Sequence, residues 1–156
     1  MVNDRTVRLT EPGKARLADE LATLRTERQP ALASRIHDAT EHGDVSDNSE
    51  YEDLKDEWQK MDARIRELEL TLERAEVITP DATSGIAELG STVTLRSDDG
   101  EEETWVLVSP EEANSLEGTI STESPVGRAL FGRRAGDSAT VSAPSGDIVF
   151  TIVSIG

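Results

Sequence analysis

Apolar residues fall in two different rhythms along this chain. In the first, Leu17, Leu21, Leu24, Arg28, Leu32, Ile36 and Ala39 follow one another at steps of four, three, four, four, four and three, with Arg28 the one polar member. That spacing predicts one face of a helix with a local stutter in its middle. Thr10 is placed to cap the helix, and Pro12 falls in the first turn, where backbone N–H groups lack helical acceptors anyway. Pro30 deletes one hydrogen bond and crowds the preceding turn, so a bend is expected there. Tyr51, Leu54, Trp58, Met61, Ile65, Leu68, Leu72 and Ala75 then alternate steps of three and four without a break, which is a heptad seam and places Trp58 and Met61 in a helix interface. A short polar connection containing Gly43, a natural left-handed stop, joins the two stripes and predicts an antiparallel helical hairpin. About thirty helical residues on each side make an arm of roughly 45 Å.

The helical period ends at "TPDATSG", residues 79–85, a stretch of Pro, Gly and small polar residues that marks a linker. Beyond it "STVTLRSDDGEEETWVLV" alternates apolar and polar residues around Asp99-Gly100, a favoured hairpin turn. A second hairpin is expected in "DSATVSAPSGDIVFTIVSI", turning at Pro144 to Asp147, with one short helix in "SPVGRALFGRRAGD" anchored in the core by Phe131. The chain is therefore expected to be α+β in two domains: a coiled-coil arm over residues 1–78, a linker over 79–85 and a small β-rich domain over 86–156.

Charge sharpens this division. The chain carries 32 Asp and Glu against 16 Lys and Arg, a net charge of −16, which disfavours wholesale binding to nucleic-acid phosphates. Residues 1–36 hold seven bases and five acids, whereas residues 38–57 hold nine acids and the single base Lys55. There is no cysteine, so disulfides, thiolate metal sites and thiol nucleophiles are excluded. No segment approaches the ~18 apolar residues of a membrane span, and "MVNDRTVRLTEPGK" lacks the apolar core of a signal peptide, so a soluble cytoplasmic protein is expected.

The acids crowd where the two helices meet, in "HGDVSDNSEY", residues 42–51. Two readings stand side by side. In one, Gly43 stops the first helix and Asp47-Asn48-Ser49-Glu50 forms a capping box, with Asp47 capping and Glu50 reaching back. That leaves Asp44 unexplained. In the other, Asp44 and Asp47, acceptor-only when ionised, hold a hard divalent cation such as Mg²⁺. Two carboxylates make an incomplete shell, which points to a half-site that another molecule completes. A calcium loop is excluded, because Ser49 stands where such a loop needs Gly and Lys55 where it needs Glu. His37 and His42 lack the further ligands of a metal site. Arg5, Arg8, Lys14, Arg16, Arg25, Arg28 and Arg35 form a basic stripe, most of it expected to be a solvated face with acid partners one turn away, such as Arg16 with Glu20.

With both halves in view, the chain resembles the Gre family of bacterial transcript-cleavage factors, of the GreA type. "EHGDVSDNSEYEDLKDE" is similar to the family's arm tip, and "SPVGRALFGRRAGDSATVSAPSGDIVFTIVSI" to its Ser-Pro, short helix, Gly-Asp and final hairpin. The resemblance implies an elongation factor whose FKBP-like C-terminal domain docks on RNA polymerase while the arm enters the secondary channel and stimulates the polymerase's own cleavage of backtracked RNA. It makes Asp44 and Asp47 the catalytic and Mg²⁺-holding pair, shared with the polymerase active site, with no cofactor tightly bound to the free protein. Asn48, Ser49, Glu50, Tyr51 and Lys55 would support the tip, and Ser124 and Pro125 are candidates for docking. The nascent RNA 3′ end and the DNA of the elongation complex are the implied surroundings, and the free chain is expected to be a monomer. One departure stands out: Asp47 replaces the family's usual Glu and is shorter by one carbon, about 1.5 Å. Thr40 stands where many relatives carry a base. A channel-occupying regulator that does not promote cleavage is therefore the alternative. The FKBP-like fold does not itself imply prolyl isomerase activity, since Trp105, Phe131 and Phe150 are few aromatic walls for such a pocket.

Overall fold

The computed structural model of the chain describes residues 6–41, 49–81 and 83–156. These form two compact units, a helical one over Ala15–Arg74 and one that joins the described residues up to Lys14 with Ala75–Gly156.

The helical unit is a hairpin. Its first limb is continuous from α1 (Glu11–Thr23) through a π-helical turn at Leu24–Arg28 into α2 (Gln29–Glu41), and its second is α3 (Ser49–Glu73). Pro30, where a bend is expected, lies within α2, and the π turn ends two residues before it. A π turn takes in one extra residue, and it sits where the stripe takes successive steps of four, so Leu24, Leu32 and Ile36 stay on one face. Leu17, Leu21 and Leu32 are buried opposite Leu54, Ile65 and Leu68 of α3. Trp58 and Met61, expected in the seam, are half-buried, because a two-helix arm has no third layer to cover the seam's edges. With 25 residues, α3 is about 37 Å long. It ends before Ala75, which belongs to a strand and not to the helical seam.

That strand is β2 (Ala75–Val77), paired in parallel with β1 (Val7–Leu9), with Leu9 opposite Val77. The pair escapes sequence reading because three-residue strands show no period. Immediately after β1, Thr10 caps α1 as expected, its Oγ1 accepting from the Gly13 N–H at 3.1 Å. The same hydroxyl donates to Glu112 Oε2 at 2.6 Å, and the Thr10 N–H donates to Glu112 Oε1 at 2.7 Å. Glu112 is only 3% exposed. A Cβ on Gly13 would lie 2.0 Å from the Glu112 carboxyl carbon, so only glycine lets the carboxylate approach the helix end.

The remainder is a five-stranded sheet in the order β5-β4-β3-β7-β6, antiparallel except where β5 (Thr119–Ser121) runs parallel to β4. β3 (Thr92–Ser97) and β4 (Glu102–Val108) form the first expected hairpin, with Gly100 at φ 86° in its turn. β6 (Ser138–Ala143) and β7 (Gly146–Ile155) form the second, turning at Pro144 and Ser145. One face buries Ala87, Val93, Leu95, Leu107, Ala139 and Ile152 against Leu130 of α4 (Pro125–Leu130). Phe131 does not anchor that helix: it is 53% exposed, and the preceding Leu130, fully buried, takes the core position. The helix ends there, and the turn that Gly132 opens at φ 82° leaves Phe131 pointing outward.

Candidate functional site

Asp44, Asp47 and Asn48, with His42 and Gly43, lie outside the described residues. The helix ends that flank them are described. α2 runs to Glu41, and near its end the Thr40 hydroxyl donates to the His37 carbonyl at 2.8 Å while His37 and Glu41 approach to 3.6 Å. On the other limb Ser49 opens α3, and Glu50 and Glu52 fall in its first turn, where the unpaired N–H groups favour negative charge. Tyr51 and Lys55 share a face one turn apart, with the Lys55 ammonium 5.5 Å from the ring centre. Of the tip-support candidates, the structure therefore brings together Tyr51 and Lys55, and leaves Ser49 and Glu50 exposed at the helix start.

Further along, ion pairs tie the limbs across the hairpin as well as along each helix. Arg64 Nε and Nη2 donate to the two oxygens of Glu20 at 2.8 and 2.9 Å, and its Nη1 donates to Glu67 at 3.0 Å. The hydrogen bond from Arg64 holds the Glu20 carboxyl below its usual range, against a smaller opposing effect of burial, and the Arg64 guanidinium is correspondingly harder to deprotonate. Arg16, expected as the partner of Glu20, adds only a minor favourable field. A guanidinium fork on the facing helix matches both carboxylate oxygens, which outweighs a single neighbour one turn away. Arg25 pairs with Glu69, and Arg35 with Glu57 at 3.7 Å.

In the other unit, Ser124 and Pro125 begin α4. Ser124 Oγ accepts from the Gly127 N–H at 3.0 Å and donates to the Ser121 carbonyl at 2.6 Å. Gly127 is required there, since a Cβ would lie 1.9 Å from the Ser121 oxygen. Beside this corner lies a cleft of about 560 Å³ whose lining includes Arg8, Leu89, Pro110, Glu123 and the exposed Phe131. Ser109 also lines it, with a buried hydroxyl that has no hydrogen-bond partner among the described residues. Sequence reasoning missed Glu112 and Ser109: neither belongs to a periodic pattern, and Glu112 meets Thr10 across 102 positions of chain.

Among the described residues no three His, Cys, Asp or Glu side chains gather as a metal site.

Two family models cover nearly the whole chain: one described as transcription elongation factor, N-terminal, over residues 7–77, and one as transcription elongation factor, GreA/GreB, C-term, over residues 82–156. The chain belongs to the GreA/GreB family of transcription elongation factors. Among relatives, a transcription elongation factor GreA of Chloroflexus aurantiacus is 48% identical, with 94% of this chain and 95% of that protein aligned. One from Roseiflexus castenholzii is 43% identical over 99% of both. Among solved structures, the GreA factor homolog Gfh1 of Thermus thermophilus is 37% identical, covering 97% of this chain and 99% of that one, with a TM-score of 0.46. The N-terminal family model begins at the first residue of β1 and ends at the last residue of β2. The parallel pair of β1 and β2 thus falls within it. No helix among the described residues is long and apolar enough to cross a membrane.

Proposed function

We propose that this chain is an elongation factor that binds RNA polymerase, carries its helical hairpin into the secondary channel and stimulates the polymerase's cleavage of backtracked RNA. The observation that carries this reading is the pairing of full-length family membership with a helical hairpin whose described limbs end at Glu41 and begin again at Ser49, the sequence interval that contains Asp44 and Asp47. The five-stranded unit, read as FKBP-like, would dock on the polymerase, with Ser124 and Pro125 directly following Thr122 and Glu123, which line the cleft that Phe131 also lines.

Asp44 and Asp47 would present carboxylate oxygens at the polymerase's active centre and orient the attacking water. A Mg²⁺ bound there would supply nucleophile activation and stabilise the leaving oxygen. Glu50 at the start of α3 would hold the local backbone, and Tyr51 with Lys55 would stiffen the first turns of that helix. The free protein supplies only part of the shell, so activity would depend on the complex.

The shorter Asp47 favours a second reading, a channel occupant that modulates the polymerase without cleavage, because a misplacement of ~1 Å can cost about a hundredfold in rate. One experiment separates the two. Cognate polymerase is stalled in a backtracked complex with Mg²⁺, and shortening of the RNA 3′ end is followed with the wild type, Asp44→Asn, Asp47→Asn and Asp47→Glu. Stimulation by the wild type and a loss of roughly tenfold to a thousandfold in each Asn variant is expected, as for removal of one preorganised electrostatic group. Asp47→Glu should cleave at least as fast as the wild type. Tight binding without cleavage by the wild type would leave the channel occupant.

A further inference from the structure

β6 lies at one end of the sheet, with β7 on one side and no strand on the other. Its register shows which backbone groups face the open side. The Ile152 N–H of β7 donates to the Asp137 carbonyl at 2.8 Å, and the ladder then runs unbroken from Ser138 opposite Thr151 to Ala143 opposite Gly146. Hydrogen-bonded and non-bonded pairs alternate along an antiparallel ladder, so Ala139, Val141 and Ala143 are the residues bonded to β7. The N–H and C=O groups of Ser138, Thr140 and Ser142 therefore point away from the sheet, and none of them bonds another element among the described residues. Natural edges are blunted by short length, charge, proline or a bulge. The opposite edge, β5, is only three residues long. β6 has no such protection: residues 138–146 are nine successive uncharged residues in a chain that is 31% charged, and the strand carries neither proline nor a break in register.

We propose that β6 pairs edge to edge with β6 of a second copy, antiparallel about a two-fold axis at Thr140. The strand is self-complementary in this register. Ser138 faces the partner's Ser142 and Thr140 faces the partner's Thr140, so every outward N–H of one copy meets an outward C=O of the other. The two central rows of side chains are uncharged. On the outer face Val149 and Thr140 continue into the same pair of the partner, and on the core face Ile148 and Val141 continue into the partner's Ala139 and Phe150. Asp147, beside Ser142, falls in a row with the partner's Ser138 and Thr151, so no acid meets an acid there. The charge of −16 opposes association at long range, and this edge lets two such molecules meet without like charges set opposite each other. A contact of one strand per copy falls short of the ~1,000 Å² of a stable interface, so pairing is reversible, with a Kd on the order of 0.1–1 mM. This departs from the monomer suggested by the helical seam, whose partner lies in the same chain, because the edge belongs to the other unit.

The test is sedimentation equilibrium of the full chain from about 10 μM to about 2 mM, with backbone amide NMR over the same range. The mean mass should rise from that of one chain toward that of two. The Thr140 and Ser142 amide signals should move with concentration, and that of Val141, already bonded to β7, should move less. Thr140→Lys and Thr140→Glu each set like charges opposite one another at the axis, and each should weaken association at least about tenfold. The Thr140 side chain is exposed, so both variants should melt close to the wild type. An equimolar mixture of the two should associate again, because the axis then joins opposite charges, and that restoration separates β6 pairing from contact through any other surface. A constant mass across the range, association untouched by either variant, or a mixture no better than its parts would each overturn the proposal. So would a Thr140 amide that moves only when a short peptide rich in threonine and valine is added, which would make the edge a peptide site.

Discussion

The helical hairpin and the five-stranded unit hold themselves together by different means. In the sheet, buried residues distant in sequence, from Ala87 to Ile152, converge on one cluster around Leu130. In the hairpin, the buried residues form a line one side chain wide, and the flanks are tied by exposed ion pairs such as Arg64 with Glu20 and Arg35 with Glu57. A cluster surrounded on all sides cannot relax around a void, whereas a line open to solvent at its edges can partly close it. Stability should therefore be concentrated in the sheet and distributed along the arm. One tryptophan in each, Trp105 and Trp58, gives each unit its own fluorescence probe.

The largest effect is expected at Leu130. Leu130→Ala deletes a fully buried side chain at the meeting point of helix and sheet, and should cost about 2–5 kcal/mol in denaturant melts read at Trp105. Leu54→Ala in the hairpin, also buried, should fall at the low end of that range when read at Trp58. Equal losses at both sites would break the contrast.

Glu112 is the next lever. Its carboxylate accepts from the Thr10 N–H and hydroxyl, so Glu112→Ala leaves a helix end and a hydroxyl without their acceptor. Charge-assisted hydrogen bonds of this kind suggest a loss of about 1.5–3 kcal/mol. Glu112→Gln, which keeps one oxygen acceptor, should recover part of it. A loss no larger than that of an ordinary surface substitution would show that Thr10 caps α1 by itself.

These two sites also mark where sequence stops being legible. The seam of α3 and the alternation of β3 and β6 were readable because each element repeats its own period, whereas the run of steps of four in the first helix was readable as a stutter and not as the π turn that it is. Thr10 was readable as a cap, since that role depends only on neighbours a few positions away. Glu112 was not, because its role depends on two loops meeting across the fold. Phe131 misled for a related reason: hydrophobicity marks Leu130 and Phe131 alike, and only the backbone direction at the end of α4 decides which of them enters the core. The tip pair, Asp44 and Asp47, rests on sequence and family alone, as both lie outside the described residues.

The Glu20–Arg64 pair should matter less than its geometry suggests. Both side chains are more than a third exposed, at 36% and 37%, so water and salt screen them and the pair should contribute below about 1 kcal/mol. Its pH dependence has a definite sign. Arg64 holds the folded-state Glu20 below the usual 4.5, so its contribution is whole above that value and fades as the pH falls through the depressed one. Glu20→Gln should flatten the acid limb of arm stability read at Trp58 and lower the melting point slightly at neutral pH. An unchanged acid limb would assign that limb to other carboxylates.

The smallest effect is expected at Phe131, and it sharpens the contrast from within the sheet unit itself. Phe131 is adjacent to Leu130 in sequence and larger, yet it is 53% exposed. Removing it opens no cavity, so Phe131→Ser should shift stability by no more than about 0.5 kcal/mol. The same change strips the aromatic wall from the cleft that also holds Arg8, Pro110 and the Ser109 hydroxyl, which has no hydrogen-bond partner among the described residues. If that cleft faces the polymerase, Phe131→Ser should weaken polymerase binding while the melting curve stays in place, whereas Leu130→Ala should lower stability first. Loss of stability in Phe131→Ser comparable to that in Leu130→Ala would mean that the side chain packs inward in solution, and the cleft would then lose its aromatic wall.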